Sequence, residues 1–245
     1  AEWVSVESPF GEPSDQLLLG NLGGLDVAFL PRHGRGHRIP PGDINFRANI
    51  DALKRTGVTD IVSLSAVGSL RDGLAPGDFL VVDQFIDRTF ARVKSFFGAG
   101  LAAHVSMAHP VCGRIGADLM HAAGKISDMR AVHGGTYLVM EGPQFSTLAE
   151  SELYRAWGCD VIGMTNMPEA KLAREAEICY ATVAMVTDYD CWHEDHDNVS
   201  VEAVIQVVND NAAHARALII ALADGFAPRR ACCEGGCDRA LENAV

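Results

Sequence analysis

No run of about 18 apolar residues occurs in this sequence and no secretory apolar segment stands near its start, so neither a membrane span nor an export leader is expected. Positive charge is scarce: 20 Lys and Arg stand against 32 Asp and Glu, a formal net charge of −12. A surface that acidic would repel a phosphate backbone, which sets nucleic acid aside as a partner. A small anionic substrate stays compatible with it wherever positive charge is gathered locally. Cysteine is too sparse for a disulfide framework, with seven residues scattered through 245. Such frameworks belong to shorter, denser secreted chains. Cys159, Cys179 and Cys191 lie in or beside strand-like runs and read as small buried hydrophobes. The setting expected from all this is reducing and cytoplasmic.

What the sequence does have is core. With 48% hydrophobic residues, 245 positions suffice for one good-sized domain. Residues 1–226 carry it, and residues 227–245 change character into a Cys- and Gly-rich tail. The chain is organised around the stretch from Ala184 to Trp192. Ile178 to Val183 form an apolar, β-branched run that reads as a strand buried on both faces. It ends in two acids one residue apart, Asp188 and Asp190, followed by Trp192. In open α/β sheets ligands sit beyond the carboxyl ends of strands. Of two acids walled by aromatics, the more desolvated one can hold a proton near neutrality and donate it. The plainer alternative is that both aspartates cap the next turn.

Upstream, Leu17–Leu19 and Val27–Leu30 read as strands joined through Gly20–Gly24 as a hairpin. The second runs into residues 31–38, where three Arg and two His fall within the seven positions from Arg32 to Arg38. Arg is suited to bidentate contact with an anion; a solvated basic loop is the alternative. A helix is expected over 45–54 with Gly57 as its stop, a strand over 60–70 running into small residues that can approach an anion closely, and one strand over 79–86. Residues 88–110 lack periodicity and read as a long loop. Further elements are a helix over 114–123, a strand over 136–140, a helix opened by the capping box Thr147-x-x-Glu150 and stopped at Gly158, a strand over 160–164, and a helix beginning at Pro168 after a polar cap. Ser200 caps a long helix whose Val201, Val204, Ile205, Val208 and Ala212 have core spacing.

Two features suggest metal only weakly. His193-x-x-His196 sits in a charged loop, and Cys232, Cys233 and Cys237 lack a fourth ligand within the tail. Exposed thiols are the expectation for the tail, and no metal is expected anywhere.

These residues together resemble the S-methyl-5'-thioadenosine phosphorylases, a branch of the trimeric purine nucleoside phosphorylase family. The likeness rests on Glu141-Gly142-Pro143-Gln144-Phe145-Ser146, Gly163-Met164-Thr165-Asn166-Met167-Pro168-Glu169-Ala170 and Thr187-Asp188-Tyr189-Asp190-Cys191-Trp192. Arg32-His33-Gly34-Arg35, Gly68-Ser69-Leu70-Arg71 and Asp83-Gln84-Phe85-Ile86-Asp87-Arg88-Thr89 add to it, in the right order along the chain. The resemblance implies a single α/β domain around a mixed, partly barrel-like sheet flanked by helices, and phosphorolysis of an N-glycosidic bond with inorganic phosphate as co-substrate and no cofactor.

It also implies roles. Arg32, His33, Ser65, the backbone of Ala66 and Thr165 match the phosphate site. Phe145 matches the purine-stacking residue and Met164 the one beneath the ribose, with Ile162 lining the same pocket. Asp188 matches the group at the purine N7 and Asp190 its neighbour at the 6-amino edge. Relatives acting on 6-oxopurines carry Asn there, so two aspartates indicate adenine. A 6-oxopurine phosphorylase, a hydrolytic nucleosidase and a non-catalytic purine-binding protein on the same fold are the alternatives. Val201, Val204 and Ile205 would line an apolar 5' pocket, and His104 matches a residue lent by a neighbouring subunit of a homotrimer or a dimer of trimers. The family opens with a strand and a Gly-Gly-Thr/Ser-Gly-Leu loop on phosphate. None precedes Trp3, so either the chain is a truncated piece or that part of the phosphate site is absent.

Overall fold

A computed structural model describes residues 1–193, 201–226 and 233–245, with the side chains at 201–204, 206, 208 and 210 left out of that description. The first three strands, β1 (Glu2–Val4), β2 (Leu17–Leu22) and β3 (Leu25–Phe29), form an antiparallel sheet in that order. β2 and β3 make the expected hairpin, turning through Gly23 and Gly24. Both have positive φ, 62° and 90°, where a side chain would be strained. Helix α1 (Phe46–Arg55) follows, capped by Asn45, whose side chain accepts from the Ala48 N–H.

The main sheet is built from β4 (Asp60–Ser69), β5 (Phe79–Val81), β6 (Gln84–Asp87), β7 (Ala131–His133), β8 (Thr136–Val139), β9 (Val161–Gly163) and β10 (Cys179–Asp188). Its order is β6-β8-β9-β4-β10-β5-β7 and it is mixed: β10 runs parallel to β4 and antiparallel to β5, and β4 meets β9 antiparallel. Four helices flank it: α2 (Gly113–Ala123), α3 (Leu148–Ala156), α4 (Asn166–Glu175) and α5 (Val201–Ala223). Among the described residues no helix is long and apolar enough to cross a membrane.

β10 is buried on both faces, as its composition dictates. Tyr180, Ala184 and Val186 face a core shared with Leu17, Phe46, Ile50 and Leu172. Cys179, Ala181 and Val183 face a second core with Phe79, Ile115, Leu119 and Leu218. The alternation is the period of a pleated strand, and each large apolar side chain so buried is worth about 1.5–3 kcal/mol.

The structure departs from expectation in several places. The run over 79–86 is two strands rather than one. β5 joins β10 and β6 joins β8 near the opposite edge, because the chain turns at Val82 and Asp83, where Asp83 accepts from the Gly135 N–H. Hydrophobic periodicity does not register such a break inside an apolar run. Neither β1 nor β7 was foreseen. Thr165 does not cap α4 with its side chain, and Met167 inside the first turn is extended, with a cis Met167–Pro168 bond. Lastly, the tail thiols of Cys233 and Cys237 are buried, not exposed. Cys232, His196 and Ser200 lie outside the described residues. The capping box on Thr147 and Glu150 forms as expected.

Candidate active site

β10 delivers Asp188 to the carboxyl end of the sheet, where its register with β4 shifts between Val186 and Asp188. Asp188 Oδ2 accepts from the Thr187 hydroxyl at 2.7 Å, and Oδ1 accepts from the Asp190 N–H at 2.8 Å. The turn-capping role is therefore real, but it does not use up the group. Asp188 remains half-buried, and burial pushes its pKa up, aided by the nearby Asp190 charge and opposed by those two hydrogen bonds. Asp190 is 6% exposed and takes a positive φ of 52°. Burial raises its pKa as well, against the Ser151 and Ser146 side chains beside it. Behind the pair, Trp192 donates its indole N–H to the Ser69 carbonyl at 2.7 Å, and the Arg155 guanidinium lies 3.5 Å from its ring centroid.

The facing wall is β4. Gly68 stands against Asp188, Asp190 and Ile162, with the buried Ile162 coming from β9. Two residues earlier, Ala66 is exposed although every one of its strand neighbours from Ser63 to Ser69 is at least partly covered. An open position in a central strand marks where a ligand can reach the backbone. At roughly 3.3 Å per residue, Ser65 and Ala66 lie within about 10 Å of Gly68, so these two anion candidates share one short stretch of β4 with the glycine that faces the acid pair.

Ser65 belongs to a buried hydroxyl cluster, with Tyr137 Oη at 3.0 Å and Thr165 Oγ1 at 3.2 Å. This is where the Thr165 hydroxyl goes in place of capping α4. Arg32 is held rather than loose. Nε and Nη2 form a bidentate pair with Glu169 at 2.6 and 2.9 Å, and Nη2 also donates to Ser63. Burial works against its charge, and Glu169 more than restores it. Among the described residues Nη1 reaches the Leu64 carbonyl alone, at 3.5 Å. Glu169 in turn accepts from the Tyr180 hydroxyl at 2.8 Å. His33 donates its Nδ1–H to the Ile39 carbonyl at 2.8 Å and stacks on His37, and burial holds its pKa below the usual value. Arg32, His33 and Glu169 line a cavity of about 1250 Å³ between the hairpin sheet and the amino-terminal half of β4, and the acid pair does not.

Phe145 is 44% exposed and Met164 half-buried. The sulfur of Met164 packs where a Cβ on Gly142 would stand, so the two loops meet. His104 is exposed, in the 88–110 loop, and its N–H donates to the Ala244 carbonyl at 2.7 Å. Ile205, at 54% exposure, lies on α5, while the side chains of Val201 and Val204 fall outside the described set. Sequence reading missed Arg92. Its buried guanidinium pairs with Glu141 and donates to the carbonyls of Glu141, Met164 and Met167, binding the 141–146 turn to the 163–168 turn. Nothing local distinguishes it from other loop arginines. It missed Glu169 also, whose only signal was its place in the first turn of α4.

The profile of the phosphorylase superfamily matches residues 2–224. The chain belongs to the phosphorylase superfamily. Within it, the chain is 64% identical to the S-methyl-5'-thioadenosine phosphorylase of Rhodospirillum rubrum, over 100% of this chain and 83% of that protein. It is 62% identical to that of Cereibacter sphaeroides, over 100% of this chain and 84% of the relative. It therefore belongs with this branch of the superfamily. Among solved structures, a methylthioadenosine phosphorylase from an antarctic soil metagenomic library superposes with a TM-score of 0.93 at 49% identity, covering 99% of this chain and 85% of that one. The Schistosoma mansoni methylthioadenosine phosphorylase in complex with adenine gives 0.87 at 38% identity, covering 91% and 84%. The superfamily fold is thus the mixed sheet flanked by helices that the sequence resemblance implied.

Proposed function

We propose that this enzyme cleaves S-methyl-5'-thioadenosine with inorganic phosphate, giving adenine and 5-methylthioribose 1-phosphate. The observation that carries it is the acid pair at the end of β10, both members raised in pKa by burial and set against Gly68, in a chain this close to the phosphorylases of that substrate. In the reaction the bond from C1' to the purine breaks as a phosphate oxygen bonds to C1', through an oxocarbenium-like state. Electrons flow into the base, so a proton given to N7 lowers the barrier, and an oxyanion beneath C1' stabilises the cationic sugar. Asp188 supplies the proton, and Asp190 accepts from the 6-amino group. Arg32 through Nη1, His33, Ser65, the Ala66 backbone and Thr165 hold phosphate. Phe145 stacks on the purine, Ile162 and Met164 line the base and ribose, and Val201, Val204 and Ile205 take the methylthio group. No cofactor takes part.

The enzyme works in the cytoplasm as a homotrimer in which His104 reaches a neighbouring site. Phe90 and Val93, exposed at 81% and 57% in the same loop as His104, offer apolar surface that a second copy would cover. Sedimentation analysis tests the assembly, and a monomer at working concentration would refute it.

The decisive assay incubates the chain with S-methyl-5'-thioadenosine, with and without phosphate. Adenine release that requires phosphate is expected. Release without phosphate would make it a hydrolase, binding without release a purine-binding protein, and faster turnover of inosine a 6-oxopurine phosphorylase; any of the three overturns the reading.

A further inference from the structure

Four cysteines from three distant parts of the sequence meet at the opposite end of β10 from the acid pair. Cys112 immediately precedes α2, Cys179 opens β10, and Cys233 and Cys237 come from the tail. All four are buried, and their sulfurs lie within 4.8 Å of one another. Cys112 and Cys233 are 3.8 Å apart. A zinc ion bound by thiolates at about 2.3 Å in a tetrahedron separates its sulfurs by about 3.8 Å, whereas a disulfide needs about 2.05 Å. We propose that Cys112, Cys179, Cys233 and Cys237 form a structural tetrathiolate zinc site that clips the carboxyl-terminal tail to the body of the enzyme. This does not depend on the proposed reaction.

The tail segment has the shape of a metal knuckle. Cys233 and Cys237 are separated by Glu234-Gly235-Gly236, the Gly236 N–H donates to the Cys233 carbonyl at 2.8 Å, and Gly236 takes a positive φ of 67°. The Asp238 carboxylate accepts from the Cys233 N–H at 3.0 Å, fixing the turn. The four cysteines belong to the same buried core cluster as Phe79, Ile115, Leu119 and Leu218, an apolar setting suited to a closed structural site. Binding replaces four thiol protons, released to solvent, by one divalent cation, which leaves a dianionic centre. The Arg114 guanidinium lies against Cys179 and Cys112 and is salt-bridged to Asp60, in position to offset that charge.

The reading of the tail as exposed thiols failed because its cysteines supply only half of the ligand set. The other two come from the start of α2 and the start of β10. Closing the site has a consequence for the loop that carries His104. Beyond the knuckle, the Leu241 N–H donates to Glu177 at 3.1 Å, and Ala244 accepts from the His104 N–H at 2.7 Å. The metal would hold the tail that holds the His104 loop.

The test takes the full chain, purified under reducing conditions without chelator, and measures metal content, free thiols and the absorption spectrum after exchange into cobalt. One zinc per chain is expected, with thiolate-to-cobalt charge-transfer bands and the strong visible bands of a tetrahedral sulfur site. Cys237→Ser and Cys233→Ser should lose the zinc and make the tail sensitive to limited proteolysis, while Cys159→Ser, in a separate core cluster, should keep both metal and protection. A chain that takes up no zinc or cobalt with all thiols titratable, a chain whose thiols are paired as disulfides, or zinc retained at full stoichiometry in Cys237→Ser would each overturn the proposal. If the tail variants fold poorly, the cobalt spectrum of the unmodified chain decides by itself.

Discussion

Oδ1 of Asp188 occupies the space in which a side chain on Gly68 would begin: a Cβ built there would lie 2.8 Å from it, 3.2 Å from Ile162 and 3.3 Å from Asp190. The carboxylate cannot simply swing aside, because Thr187 and the Asp190 N–H hold it from two sides. Gly68→Ala should therefore shift Asp188 and lower kcat by roughly 10–100-fold, the scale on which an ångström of misplacement acts, with KM for phosphate little changed. Circular dichroism should show an intact fold. Unaltered turnover would mean that the position of Asp188 is not critical.

Removing the acid itself is the harsher case. Asp188→Ala should cut turnover by on the order of 10²–10⁴, the size of a general-acid contribution. In the unmodified enzyme, kcat should fall as pH rises through the raised pKa of Asp188, since the proton it donates is then gone. A flat alkaline limb in steady-state kinetics, or full activity in the alanine variant, would remove Asp188 from the mechanism.

The same shift has a consequence for stability. Both aspartates have folded pKa values above the ordinary 3.8, so folding favours their neutral forms. That stability is complete below the ordinary aspartate range and is lost as pH climbs through the folded values. Asp188→Asn, neutral at every pH, should raise Tm relative to the unmodified chain at pH 7 and lose that advantage in acid. Thermal scans at several pH values check it, and an advantage that is the same at all pH values would contradict the burial argument.

Arg32 and Glu169 form a buried bidentate pair, so Arg32→Ala should do two things. It should raise KM for phosphate more than KM for the nucleoside, and it should destabilise the fold by roughly 3–5 kcal/mol, because Glu169 is left buried without its partner. Arg32→Ala with Glu169→Gln should recover much of the stability and none of the phosphate affinity. Equal effects on both Michaelis constants would contradict the anion assignment.

Gly163 lies under the Tyr137 hydroxyl and ring, so a Cβ there would overlap the phenol oxygen and crowd the ring carbon bearing it. Tyr137 is fully buried and has nowhere to retreat. Gly163→Ala should lower Tm markedly, and Tyr137→Phe should restore part of the loss, since it removes the closest atom and leaves the next. Additive losses in the double variant would show that the two residues do not compete for the same space.

Much of this was legible beforehand where the cause is local. A Ser/Thr-x-x-Glu spacing closes a capping box within three residues of itself, and Thr147 with Glu150 does so. The apolar run into Asp188 is a strand because no other short element hides both of its faces. The division of the 79–86 run into β5 and β6, by contrast, depends on which strands are present to receive each half. The polar residues before Pro168 looked like a helix cap because capping is the nearest use of such side chains; the Thr165 hydroxyl instead meets Ser65, a hundred residues away.

By itself, then, the sequence determined the family, the buried central strand and the acids at its end, since these follow from patterns carried by neighbouring residues. Only the tertiary structure decided that Glu169 would hold Arg32, that Gly68 would make room for Asp188, that Arg92 would bind two loops together, and that two tail cysteines would find two more in the core. Each of those joins groups from distant parts of the chain. Their chemistry depends on distance and burial in space, and spacing along the sequence carries neither.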